Sequence, residues 1–243
     1  MDAIDTGVPL GVVWPRKLVL LSPVSSGLNV VPFGANRMAV SLRSLAPRES
    51  TMSTSKSRVT IHMAASVDGF VARTDGSVDW LETSDDYSGG ETLDARVVEA
   101  FLKTIDCYVM GSRTYETALA FEAKGLGWPY GDKPTFVLTH RVLSRVRDSV
   151  EFCAGDLAEL VNGRLRTAFG TIWIAGGGQV AAECLRRGLA DEIRYSILPI
   201  LIGDGIRFFG TLEEDVALHL AEAKVYRSGM VDLCYQVNNC LER

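Results

Sequence analysis

Ile172-Trp173-Ile174-Ala175-Gly176-Gly177-Gly178-Gln179-Val180-Ala181 is the stretch that decides the reading of this chain. An apolar run breaks into three glycines, and the residues after them resume at helical spacing. That pattern describes a strand, a tight turn and a helix start. Gly176, Gly178 and Ala181 fit G-x-G-x-x-G/A, in which glycines let backbone N–H groups approach a pyrophosphate at a helix N-terminus. Consecutive glycines cost backbone entropy, so a close approach has to offset it, either to a ligand or to a packed neighbour. Asp191 and Glu192 follow sooner than the acidic residue of a Rossmann unit, and this is the last strand–helix junction rather than the first. A nucleotide turn is compatible with the stretch; Rossmann topology is not.

Upstream, Val109-Met110-Gly111-Ser112-Arg113-Thr114 repeats the arrangement. Its helix start favours an anion, and Arg113 adds a planar guanidinium matched to a phosphate. A plain turn with a solvated arginine explains it equally well. Thr135-Phe136-Val137-Leu138-Thr139-His140-Arg141 is a third strand end. Arg113 and Arg141 together suit an extra phosphate such as the 2′-phosphate of NADPH; two surface arginines are the bland alternative. Asp68, in Ser66-Val67-Asp68-Gly69, reads either as a carboxylate orienting substrate or cofactor, or as a self-stabilised Asp-Gly turn. Asp79-Trp80 pairs a carboxylate with a flat ring, and Asp79 needs a raised pKa to serve as an acid near neutral pH.

Around these junctions the pattern alternates. Strands are expected at Val59–Ala64, Phe70–Ala72, Asp106–Met110, Thr135–Thr139, Val150–Cys153 and Thr171–Ala175. Helices are expected over Val97–Ile105, from Gly111 to about Ala123, from a capping box at Asp156/Glu159 to about Ala168, and over Gln179–Arg187. Asp191–Ile202 is one long β-branched run, and Val216–Tyr226 and Met230–Val237 form a hairpin around Ser228-Gly229. The class is α/β: a mostly parallel sheet with an antiparallel C-terminal hairpin.

The 243 residues carry 47% hydrophobic and 23% charged side chains and a net charge of −5. No basic surplus supports nucleic-acid binding, and no apolar run is long enough to span a membrane. The five cysteines include no C-x-x-C, which fits a cytoplasmic protein. His62, His140 and His219 are scattered, with no zinc-site spacing, so no metal is expected. Neither G-x-S-x-G nor a Walker loop is present. Residues 1–51 hold Arg16, Lys17, Arg37, Arg43 and Arg48 against Asp2, Asp5 and Glu49. They show no sustained periodicity, and Met52 opens a plausible start. Residues 1–56 are therefore expected to be a disordered or misassigned extension, and 57–240 the working domain.

Five stretches in order carry a resemblance: Ala65–Phe70, Val78-Asp79-Trp80, Val109–Glu116, Ile174–Gly178 and Leu198–Phe209. Together they resemble the dihydrofolate-reductase-like family, and most closely the C-terminal reductase domain of the bifunctional riboflavin-biosynthesis deaminase-reductase in stand-alone form. The resemblance implies a three-layer fold, an NADPH-dependent oxidoreductase and often a homodimer. It places Gly111, Arg113 and Thr114 at the adenosine phosphates, Thr139 and Arg141 at the adenine end, Gly176, Gly177, Gly178 and Gln179 at the pyrophosphate, and Ser66 and Asp68 near nicotinamide and substrate. Asp68 and Asp79 are the catalytic candidates. The implied reaction is reduction of a small heterocycle of the 5-amino-6-(5-phosphoribosylamino)uracil type. A pterin reductase, a deazaflavin-linked reductase and a non-catalytic nucleotide-binding protein are the alternatives. The deaminase half has no counterpart here.

Overall fold

The computed structural model describes residues 57–82 and 85–238. The extension expected at 1–56 lies outside them. The chain runs β1 (Arg58–Ser66), β2 (Phe70–Ala72), a short 3-10 turn (Asp79–Glu82), α1 (Ala95–Lys103), β3 (Cys107–Gly111), α2 (Ser112–Ala123), β4 (Thr135–Leu138) and β5 (Val150–Cys153). Next come α3, made of Glu159–Leu165 and Arg166–Ala168, then β6 (Thr171–Gly176), α4 (Gly178–Arg186), β7 (Glu192–Leu198), β8 (Ile206–Arg207), β9 (Leu218–Val225) and β10 (Val231–Val237).

Eight strands form one sheet in the order β5-β4-β3-β6-β1-β7-β10-β9. The first six are parallel, and β10 and β9 close the edge antiparallel. β1 is central, and nearly every one of its residues is buried, as a parallel strand covered on both faces requires. On one face Val59, Ile61, Val109 and Ile174 meet Val161 and Leu165 of α3 and Ala181 and Leu185 of α4. On the other, Tyr108, Met110 and Trp173 meet Val98 and Leu102 of α1 and Tyr115 and Ala118 of α2. Asp94 caps α1, accepting from Arg96 N at 2.8 Å and Val97 N at 3.0 Å.

Two local expectations change. The apolar run from Asp191 stops at Leu198, because Pro199 has no N–H to extend the ladder. The chain beyond it instead forms β8, antiparallel to β2. The helix after Asp156 starts as expected, with Asp156 Oδ1 accepting from Ala158 N at 2.8 Å and Glu159 N at 3.1 Å. It then widens to π-helical winding over Glu159–Leu165, where Asn162-Gly163 supplies weak helix formers.

Candidate functional site

β3 and β6 are neighbours, with Met110 opposite Gly176. From β3 the chain goes through α2 outward to β4; from β6 it goes through α4 to the far side of β1. The two connections diverge, which makes this the topological switch point, where open α/β sheets bind ligands outside the carboxyl ends of their strands.

Both helices that begin there start on glycine, and neither has a side-chain cap: Gly111 precedes α2, and Gly177, at φ 64°, precedes α4. Their first N–H groups and dipoles share one crevice. A Cβ on Gly176 (φ 152°) would stand 2.9 Å from Thr114 Oγ1, and one on Gly111 would stand 3.4 Å from Val180 Cγ2. The two turns are thus in contact, and Thr114 occupies the space that a side chain at 176 would need. Gly178 answers a different demand: its Cβ would lie 2.1 Å from the Arg207 carbonyl oxygen. The first two glycines of the triplet shape the crevice, and the third admits a strand. Gln179 is exposed in the first turn of α4.

At the flank, Arg141 grips Glu116 with two bonds of 2.9 and 2.6 Å. Thr139 Oγ1 accepts from Arg141 N at 3.0 Å. Arg141, and then Arg113, hold the Glu116 carboxyl below the usual range. Arg113 is exposed and has no ion-pair partner among the described residues, so the cluster of two guanidiniums and one carboxylate retains a positive charge beside the α2 start.

The β1 end is built differently. Ser66 is buried, and its Oγ accepts from Phe70 N at 3.1 Å, closing the turn. Asp68 accepts from Ile202 N at 3.2 Å and Gly203 N at 2.7 Å. The Ser66 hydroxyl first, then the Gly203 and Ile202 amides, keep its carboxyl low. Asp68 anchors the 199–205 segment to β1. Its replacement by Ala is expected to speed amide exchange at Ile202 and Gly203 about tenfold. The Gly69 amide, bonded to Ser66 O at 2.9 Å, should keep its protection; hydrogen exchange read by NMR checks both.

The surroundings of Asp79 run against the proton-transfer expectation. It is exposed and pairs with Arg73 at 2.7 and 3.4 Å. The Arg73 guanidinium lowers its pKa, the opposite of what an acid near neutral pH requires. Its neighbour Trp80 is buried with Leu198, Tyr226 and Met230, so the ring belongs to the packing behind the β1 end.

The last of the five resemblance stretches, Leu198–Phe209, makes contacts that its motif did not specify. The segment 205–210 lies flat on the start of α4 and on β2. A Cβ on Gly205 would stand 2.2 Å from Ala72 O, and one on Gly210 would stand 2.9 Å from Ala182 Cβ. Arg207 there caps the Phe70 ring at 5.2 Å. Gly203 and Gly205 belong to that stretch, but no local pattern in it names the elements against which the segment packs.

A model of the RibD C-terminal domain matches residues 57–231. The chain belongs to that family. Its RibD C-terminal fold agrees with the eight-stranded α/β architecture. The Bacillus subtilis protein YwjB, itself uncharacterised, is 29% identical over 170 residues, covering 70% of this chain and 92% of YwjB. A protein from Shewanella sp. PV-4, provisionally assigned to riboflavin biosynthesis, has a crystal structure that superposes with a TM-score of 0.63 at 26% identity, covering 75% of this chain and 99% of that one. The Thermotoga maritima deaminase/5-amino-6-(5-phosphoribosylamino)uracil reductase gives a TM-score of 0.51 at 15% identity, over 75% of this chain and 57% of its own. That last likeness is one of fold. Among the described residues no helix is long and apolar enough to cross a membrane.

Proposed function

We propose that this RibD-type domain is an NADPH-dependent reductase of a small heterocyclic substrate, of the 5-amino-6-(5-phosphoribosylamino)uracil reductase type. The observation that carries the reading is the meeting of two uncapped, glycine-started helices at the switch point, with the Arg113–Glu116–Arg141 cluster at one side. The crevice suits a dinucleotide: Gly176 and Gly177 have conformations that L side chains rarely adopt, which leaves backbone N–H groups at the α4 start for the pyrophosphate. Gly111 and Thr114 would hold the adenosine phosphates at the α2 start, with Gln179 bordering the pyrophosphate. Arg113 would take the 2′-phosphate, with Arg141 and Thr139 toward the adenine end. When bound, NADPH supplies a hydride. The chain supplies orientation: the Ser66 turn and the loop pinned by Asp68 would form the floor for nicotinamide and substrate.

Calorimetric titration of the full chain with NADPH and NADH tests this. NADPH is expected to bind in preference. Replacing Arg113 with Gln is expected to weaken NADPH by roughly ten- to a hundredfold, the worth of a charge-assisted contact, and to leave NADH within about twofold. Failure of both nucleotides to bind the wild type would withdraw the reductase reading; equal losses for both in the variant would move the 2′-phosphate away from Arg113.

A further inference from the structure

Most cations of the domain already have partners. Among the described residues every arginine and lysine has an ion pair or a side-chain hydrogen bond except Arg113, Lys124 and Arg207. Lys124 stands at the far end of α2. Arg113 is the residue given to the 2′-phosphate. Arg207 remains, exposed and on β8 opposite Phe70 of β2. A Cβ on Gly178 would stand 2.1 Å from its carbonyl oxygen, so its main chain lies against the first turn of α4. The next residue ties the strand down, with Phe208 N donating to Gly69 O at 2.9 Å. The Arg207 guanidinium lies over the Phe70 ring, 5.2 Å from its centroid, and Phe70 N is the amide that closes the Ser66 turn. Arg207 therefore stands between the turn given to the pyrophosphate and the β1 end given to nicotinamide and substrate.

The carboxylates of the same region do not neutralise it. Asp68 accepts from the Ile202 and Gly203 amides, and Asp204 Oδ1 accepts from Gly205 N at 2.8 Å. A guanidinium stacked flat on a ring keeps the N–H groups at its edge free. Such a fork matches two oxygens of one phosphate.

We propose that Arg207 binds a phosphoryl group at this junction, supplied either by the pyrophosphate of the dinucleotide or by a phosphate on the substrate. The inference rests on the reductase reading of the crevice and gives it a third side. The glycine turns supply backbone N–H groups, Arg113 a charge at the adenosine end, and Arg207 a charge toward the nicotinamide end. The competing role is a solvated arginine that only covers Phe70, worth about 0.5–1 kcal/mol of stability.

Calorimetry on the full chain, with Arg207→Gln and Arg207→Lys beside the wild type, separates these roles. The titrants are NADPH, NADH and ribose 5-phosphate, the last with and without saturating NADP+. If the pyrophosphate is the source, Arg207→Gln weakens NADPH and NADH alike, by roughly ten- to a hundredfold, unlike Arg113→Gln. If the substrate is the source, both nucleotides stay within about twofold and ribose 5-phosphate loses about tenfold or more. In either case Arg207→Lys, which keeps a point charge, recovers part of the loss, and both variants melt within about 4 °C of the wild type. Unchanged affinity for all three titrants in Arg207→Gln overturns the proposal and leaves the reductase reading standing. Equal losses in both variants, together with a larger drop in melting temperature, also overturn it, because packing then explains them. A wild type that binds ribose 5-phosphate through Arg207 but neither nucleotide keeps the proposal and withdraws the reductase reading. A wild type that binds none of the three overturns both.

Discussion

Replacing Gly178 with alanine is expected to lower the melting temperature by about 6–12 °C and to weaken NADPH binding at least tenfold. The added methyl group would sit 2.1 Å from the Arg207 carbonyl oxygen, with Phe208 O at 3.5 Å. The colliding atom belongs to main chain, so no rotamer change relieves the overlap. Either β8 lifts from β2, where Phe208 N donates to Gly69 O at 2.9 Å, or the first turn of α4 moves away from β6. The second route displaces Ala181 and Leu185, both in the core. Overpacking of this kind costs about 3 kcal/mol, and each kcal/mol shifts the midpoint of a domain this size by about 2–4 °C. The binding loss follows because the turn that moves is the one assigned to the pyrophosphate. Thermal melts and calorimetry on the same preparation check both parts. An unchanged melting temperature would mean that the 205–210 segment has room to shift. A lowered melting temperature with full NADPH affinity would separate the packing role of this glycine from the ligand crevice.

That separation also shows what was legible beforehand. Ile172–Ala181 announced a strand, a turn and a helix, and β6 and α4 stand there. The alternation of such units gave the parallel sheet, because hydrophobic periodicity is a local signal. Strand order is not local: nothing within Thr171–Gly176 states that it inserts between β3 and β1. For the same reason Gly178 fitted a pyrophosphate pattern, while its tightest contact is a carbonyl 29 residues onward in β8. Asp79 shows the limit for side chains. A carboxylate beside a tryptophan suggested an acid, but Arg73, six residues earlier, reaches it and favours its charged form.

Acid is expected to destabilise the protein well above the carboxylate range, and His62 is the reason. Its ring is fully buried, stacked on Trp173 at 4.8 Å and edge-on to Phe101 at 5.6 Å. Ser196 Oγ donates to Asp232 Oδ1 at 2.8 Å, so that hydroxyl proton is committed. At 2.9 Å from the same oxygen, His62 Nε2 must therefore be the donor, which leaves Nδ1 bare; Nδ1 has no partner among the described residues. Burial lowers the pKa of His62 to about 4; Asp232 and Glu192 pull it upward and Arg194 opposes them. In the unfolded chain the imidazole titrates near 6.5. Between those values the unfolded state holds the extra proton, so stability falls as pH drops from about 6.5 toward 4. By pH 5 the loss is about 2 kcal/mol, or roughly 4–8 °C in melting temperature. His62→Gln retains an N–H for Ser196 and removes the titration. Its melting temperature should change much less between pH 7 and pH 5 than that of the wild type, whatever its absolute value. Parallel slopes for the two proteins would assign the acid sensitivity to the surrounding carboxylates instead.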